Sequence, residues 1–144
     1  MIEILIDENI NESIEVKTSL VKQLVGKIIN DHNKSFSSVT FIISNDKKLL
    51  QLKRDFFNQN VLTDVITFNL EEQNEPIEGE IYISFERIKE NSKIFNQKIS
   101  TELCRIFIHG TLHLIGFDDD TAIEKNRMTN LENKYIKNMS EILQ

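Results

Sequence analysis

The chain has 144 residues, 40% of them apolar, with 23 acidic and 17 basic side chains and a formal net charge of −6. That length reads as one domain able to bury a real core, and no apolar run approaches the roughly 20 residues that cross a bilayer. The acidic balance excludes a protein that coats nucleic acid through bulk charge, because phosphate neutralisation needs surplus Lys and Arg. The amino terminus, Met1-Ile2-Glu3-Ile4-Leu5-Ile6-Asp7, mixes acid with apolar residues and has neither a basic leader nor a cleavage site, so it does not read as a signal peptide. Cys104 is the only cysteine, which rules out an internal disulfide and fits a reducing compartment.

Taken in order, Ile2 to Ile6 is short and β-branched and reads as a strand. From Ile14 to Asn30 the apolar residues Leu20, Leu24, Val25, Ile28 and Ile29 recur at helical spacing, which predicts a long amphipathic helix. Val39 to Ser44 is a second strand, followed by a cap at Asn45 or Asp46 and a shorter helix striped by Leu49, Leu50, Leu52, Phe56 and Phe57. Val65 to Phe68 is a third strand, and a polar loop from Glu71 to Glu78 holds the only proline, Pro76. Gly79 to Ser84 is a fourth strand; the loop is too short for a crossover helix, so the last two strands should pair antiparallel. A weaker helix runs from Phe85 to Gln97. Ser100 is placed to cap a strong one from Thr101 to about Gly116, apolar on most sides and therefore central and buried. Thr121 and Glu124 have capping-box spacing, and the closing helix carries Met128, Leu131, Tyr135 and Ile142 on one stripe. The expectation is one α+β domain spanning residues 1–144, with a small four-stranded mixed sheet and about five helices.

The chemistry concentrates in the fourth of these helices. His109 and His113 stand four apart, which puts both imidazoles on one helix face. Gly116 can stop the helix in a left-handed conformation, and Asp119 then lies where a third ligand completes a set. The pattern is His-x-x-x-His-x-x-Gly-x-x-Asp, with Asp118 and Asp120 as alternative carboxylates. Three protein ligands leave an open position, as catalytic metal sites do. Two imidazoles and a carboxylate suit zinc, and also Fe, Mn, Co or Ni. Zincin proteases place a Glu base directly after the first His; here Gly110 stands there, so peptide hydrolysis by that route lacks its base. The competing reading of the two histidines is a hydrogen-bonded pair in a buried helix.

His109-Gly110-Thr111-Leu112-His113-Leu114-Ile115-Gly116-Phe117-Asp118 resembles the signature of the YbeY family of bacterial endoribonucleases, His-Gly-x-Leu-His-Leu-x-Gly-Tyr-Asp-His. Thr63-Asp64-Val65-Ile66-Thr67-Phe68 is similar to that family's Thr-Asp-Val-Leu-Ser-Phe strand, and Gly79-Glu80-Ile81-Tyr82-Ile83-Ser84 to its Gly-Asp-Ile-x-Ile-Ser strand. Met128 sits where the family has a Met in the last helix. The resemblance implies a metal-dependent hydrolase domain with one Zn2+-type ion on His109, His113 and Asp119, which would also be the catalytic residues. It implies cleavage of single-stranded RNA in rRNA processing and ribosome biogenesis, with maturation of the small-subunit rRNA 3′ end. The implied partners are rRNA and the small subunit or its assembly factors, in the cytoplasm, with no membrane and no DNA.

Two positions depart from the family pattern. The third ligand position, usually His, is Asp119. An Arg that the family commonly carries six residues before its Thr-Asp, for RNA phosphate, is Phe57 here; Arg54 and Arg105, each about a turn from its site, are the candidate replacements. The alternatives carried forward are a metal-binding ribosome-assembly factor with little catalysis and, further off, a zincin-like metalloprotease. The basic runs Lys47, Lys48, Lys53, Arg54 and Arg87, Lys89, Lys93, Lys98 read as solvated helix faces. Cys104 reads as a small core residue, and His32 as a surface residue in a polar turn.

Overall fold

Alternating apolar residues build the sheet on which everything else is mounted. In the computed structural model, which describes the backbone of residues 1–143 and the side chains of residues 1–139, β1 (Ile2–Ile6), β2 (Phe36–Ser44), β3 (Val65–Asn69) and β4 (Ile77–Ser84) form one mixed sheet in the order β1-β2-β4-β3. β1 and β2 are parallel, as are β2 and β4, with Phe41 opposite Ile81. β3 runs antiparallel to β4, as the short loop demands, with Thr67 opposite Ile81. Val39, Phe41 and Ile43 of β2 and Ile81 and Ile83 of β4 are fully buried and share one face. Ile66, Phe68 and Tyr82 lie on the other.

Each face receives helices whose apolar stripe matches it. α1 (Thr18–Asp31) lays Val21, Leu24, Val25, Ile28 and Ile29 on the main core. α4 (Ile99–Leu114) packs beside α1 with Leu103, Ile106, Phe107, Ile108, Leu112 and Leu114 buried, which makes it the central helix. α5 (Ala122–Leu143) covers α4 through Met128, Tyr135 and Met139. On the opposite face α2 (Asp46–Phe57) buries Leu49 and Leu52 against Ile66, with Phe68 and Tyr82 around them. α3 (Phe85–Ile94) joins the sheet to α4.

Several element boundaries differ from the sequence expectation. Ser100 does not cap α4: the helix starts two residues earlier, at Ile99 behind Lys98, which makes no side-chain cap bond, and it ends at Leu114 rather than Gly116. α1 starts at Thr18, since residues 11–17 form no regular structure, and β4 starts at Ile77, inside the expected loop. α3 stops at Ile94, three residues short of Gln97. Asn45 is the cap of α2, its Oδ1 accepting the Lys48 N–H at 2.9 Å. The capping box at Thr121 is reciprocal, with Glu124 accepting from the Thr121 N–H at 3.0 Å and Thr121 Oγ1 from the Glu124 N–H at 3.1 Å. Ile142 of the expected stripe lies outside the described side chains.

Candidate metal centre

The helix stop makes the site. After Leu112, His113 and Leu114, the chain turns at Gly116 with φ +107°. The Gly116 N–H donates to His113 O at 3.0 Å and the Phe117 N–H to Leu112 O at 3.0 Å, the paired bonds of a Schellman closure that satisfies the last carbonyls of α4. Asn69 of β3 donates from Nδ2 to Leu114 O at 2.8 Å, which ties the same helix end to the sheet. The turn folds residues 117–120 back over the preceding turn of α4 and brings Asp119 to the two histidines.

His109 Nε2 and His113 Nε2 face each other at 3.0 Å. Asp119 Oδ2 lies 3.4 Å from the first and 3.5 Å from the second. These three residues are close enough to hold one metal ion. Asp118 and Asp120, the alternative carboxylates, are exposed, and neither belongs to the cluster. The donor set fits a zinc-type ion: two imidazole nitrogens and one carboxylate oxygen converge from one side and leave the other side open. Two ring nitrogens this close share a proton or a cation, and Asp119 adds the negative charge that favours the cation.

Behind the histidines lies a relay absent from the sequence expectations. Glu132 of α5 accepts a hydrogen bond from His109 Nδ1 at 2.6 Å and is almost fully buried. Its other oxygen accepts from Arg105 Nη1 at 3.1 Å. A protonated Nδ1 leaves Nε2 with its lone pair toward Asp119, so the carboxylate sets the tautomer as well as the ring orientation. Burial opposes an imidazolium at His109, but the Glu132 bond and charge, with Asp119 and Asp64, outweigh it and hold the pKa above its ordinary 6.5. Burial pushes the Asp64 carboxyl up, against the pull of the His109 charge. Burial likewise raises Glu102, which the charges of Asp64 and Glu132 reinforce and Arg105 opposes. Glu132 did have a signal: it occupies the slot between Met128 and Tyr135 in the apolar stripe of α5, where a solvated acid has no business.

The open side of the site faces a cleft of about 430 Å³ between α4 and the edge strand β3, walled by Lys53, Phe57, Thr63 to Thr67, Asn69 and Asp118. Thr67 Oγ1 is, among the described residues, the buried side-chain polar atom left without a partner, and it lies on this wall. A larger hollow of about 670 Å³ lies beyond Asn69, but Glu71, Glu72 and Glu75 line it and suit no anion.

The other candidate residues fall elsewhere. Arg54 donates from Nε to Asn60 at 2.8 Å on the exposed side of α2, and Arg105 is engaged with Glu132 and Asn133 behind the site, so neither lines the cleft. His32 is half-buried rather than a free surface residue: its Nδ1 lies 2.8 Å from Ile28 O at the end of α1 and its ring meets Phe117 edge-on at 5.0 Å, which makes it structural. Cys104 is half-buried beside Met139, its Sγ 3.1 Å from the thioether, and burial pushes the thiol up to about 11. Gly110 sits against the sheet, where an added Cβ would lie 2.7 Å from Ile81 Cγ2.

Residues 6–140 match the family described as Endoribonuclease YbeY. Proteins named Endoribonuclease YbeY resemble the chain along most of its length. That of Karelsulcia muelleri is 39% identical over 110 residues, 76% of this chain and 77% of that one. That of Flavobacterium psychrophilum is 35% identical over 128 residues, covering 89% and 90%. Among solved structures, a Thermotoga maritima protein determined in solution superposes with a TM-score of 0.64 at 28% identity, covering 96% of this chain and 89% of that one.

Proposed function

The chain belongs to the endoribonuclease YbeY family, and from that membership we propose that it is a metal-dependent endoribonuclease that cuts single-stranded RNA at the cleft between α4 and β3. Its setting is rRNA processing in the cytoplasm, on the small subunit or its precursors, with maturation of the rRNA 3′ end as the specific task. The observation that carries the reading is the convergence of His109 Nε2, His113 Nε2 and Asp119 Oδ2 at the floor of an open cleft.

His109, His113 and Asp119 are the residues that would hold the ion, with Asp119 in the place of a third histidine. A zinc-type ion supplies Lewis acidity toward a phosphodiester oxygen and brings the pKa of water down to about 7. Glu132 keeps the His109 proton on Nδ1 and so keeps Nε2 available. Arg105 balances the Glu132 charge from behind, which lets a buried carboxylate persist beside the site. Gly110 gives no base next to His109, which removes the zincin mechanism from consideration.

A second reading has one observation in its favour. Asp64, Asp118 and Asp119 make the cleft acidic, which suits an assembly factor that binds metal and contacts rRNA with little cleavage. Purified zinc-loaded protein incubated with single-stranded RNA, duplex RNA and casein, with and without chelator, separates the two. Chelator-sensitive cutting of the single strand alone is the expected result. RNA binding without cutting would overturn the nuclease assignment in favour of the assembly factor, and digestion of casein would overturn both.

A further inference from the structure

The cleft contains a cation held in place by an aromatic ring. Lys53 and Phe57 stand one turn apart on α2 and both line the wall. The Lys53 Nζ sits 4.6 Å from the centroid of the Phe57 ring, and that ring stacks on Phe68 at 5.8 Å with 27° between planes. Phe68 in turn meets Tyr82 edge-on at 5.9 Å and packs against the Leu49–Leu52–Ile66 cluster. The lysine is half-buried and its head rests on a ring anchored in a core, so it is not a freely swinging surface chain.

The charge around it is one-sided. Of the residues on the cleft wall, Asp64, Asp118 and Asp119 are acids, and Lys53 is, among the described residues, the one Lys or Arg. Among the described residues it has no ion-pair partner, whereas Arg105 is bound to Glu132 and Arg54 to Asn60. A phosphodiester strand entering this cleft past three carboxylates needs an opposing charge, and on its wall Lys53 supplies it; Arg105 and Lys125 line the adjoining hollow on the other side of His109 and Asp119. The ring beneath it keeps that charge in the cleft at a small entropic loss on binding.

Resting on the RNA reading above, we propose that Lys53 is the phosphate contact for the RNA strand in this cleft, with Phe57 as its positioning residue. A single phosphate neutralised on a single strand contributes about 0.7 to the slope of log affinity against log salt. The test is fluorescence anisotropy of a labelled single-stranded oligoribonucleotide against salt, with zinc-loaded protein and readings taken before measurable cutting. Lys53→Ala is expected to bind more weakly and to lower the slope by about 0.7, while Lys53→Arg keeps it. Phe57→Leu is expected to weaken binding and Phe57→Tyr to restore it, which loss of packing alone would not produce. Lys93→Ala, which removes an exposed charge on α3, controls for net charge and should match the wild type. A Lys53→Ala slope equal to wild type, or an equal loss in Lys93→Ala, overturns the proposal. If the wild type cuts RNA and Lys53→Ala keeps the full slope, this proposal falls alone; if the wild type neither binds nor cuts RNA, the functional reading falls with it.

Discussion

Glu132 bridges Arg105 and His109, and its position decides how the metal centre behaves. Replacing it with Gln keeps the shape and removes the charge that orders the imidazole. Loss of such a partner typically weakens metal binding by about 10–100-fold, so Glu132→Gln should lose zinc to a competing chelator at correspondingly lower concentration while its circular dichroism stays that of the wild type. The same carboxylate gives the metal-free protein a pH dependence. His109 holds its proton more tightly in the folded protein than in the unfolded chain, whose imidazole titrates near 6.5. That contribution is fully present below the unfolded value and is lost as pH rises through the raised one. The raised Asp64 and Glu102 carboxyls act with the same sign, and the lowered carboxyls of Asp7 and Asp31 act only in more acidic solution. Chelator-treated protein should therefore melt at a lower temperature at pH about 8.5 than at about 6; an equal or higher melting temperature would contradict the assignment. Zinc affinity should run the other way and rise with pH, because the ion must displace the His109 proton.

At this scale the sequence exposed what is local. The histidine spacing, the glycine stop and the capping box lie within sixteen residues, from His109 to Glu124, and each works through helix geometry alone. Glu132 and Thr67 reach the site only through the packing of α5 and β3 against α4, so no spacing announces them. Arg54 is near in sequence but turns to Asn60, and Arg105 is taken up by Glu132 behind His109, since a turn of helix places a side chain on a face without saying what that face meets.

Among the elements, α4 is held against the sheet so closely that Gly110 sets the distance between the helix carrying His109 and His113 and the strand beneath it. An alanine at Gly110 would push its Cβ onto Ile81, a fully buried β-branched residue of β4 with little freedom to move. Overpacking of this kind costs about 1–3 kcal/mol, against about 1 kcal/mol of helix propensity gained over glycine. Gly110→Ala should lower the melting temperature and weaken zinc binding together, because the helix that shifts carries both histidines. A variant that melted higher and bound zinc as the wild type does would show that α4 can move away from the sheet without cost.

The element types were largely readable because strands alternate and helices recur at 3.6 residues. Their ends were not. Ser100 is a good cap by residue type, but α4 is already under way at Ile99, although its first buried residues are Glu102 and Leu103. The strand extensions Phe36 to Ser38 and Ile77 to Glu78 pair with each other across a register irregularity, so neither segment reveals itself alone.

For the whole molecule, the proposed metal binding would be linked to folding through α4, the turn after it and α5, which together hold His109, His113, Asp119 and Glu132. An ion that binds only the folded state at a hundredfold excess over its Kd adds about 2.7 kcal/mol, which for a chain of this size raises the melting temperature by roughly 5–11 °C. Zinc should produce such a rise in the wild type and none in His109→Ala. The net charge of −6 belongs at this scale too: the bulk of the protein repels RNA, so binding depends on the ion and on Lys53, and its salt dependence is set by those few contacts. The most direct test of the central claim is cleavage of a single-stranded RNA by zinc-loaded His113→Ala beside the wild type, with zinc content measured on both. Loss of bound zinc together with loss of cleavage is predicted; full wild-type cleavage by His113→Ala would contradict the account.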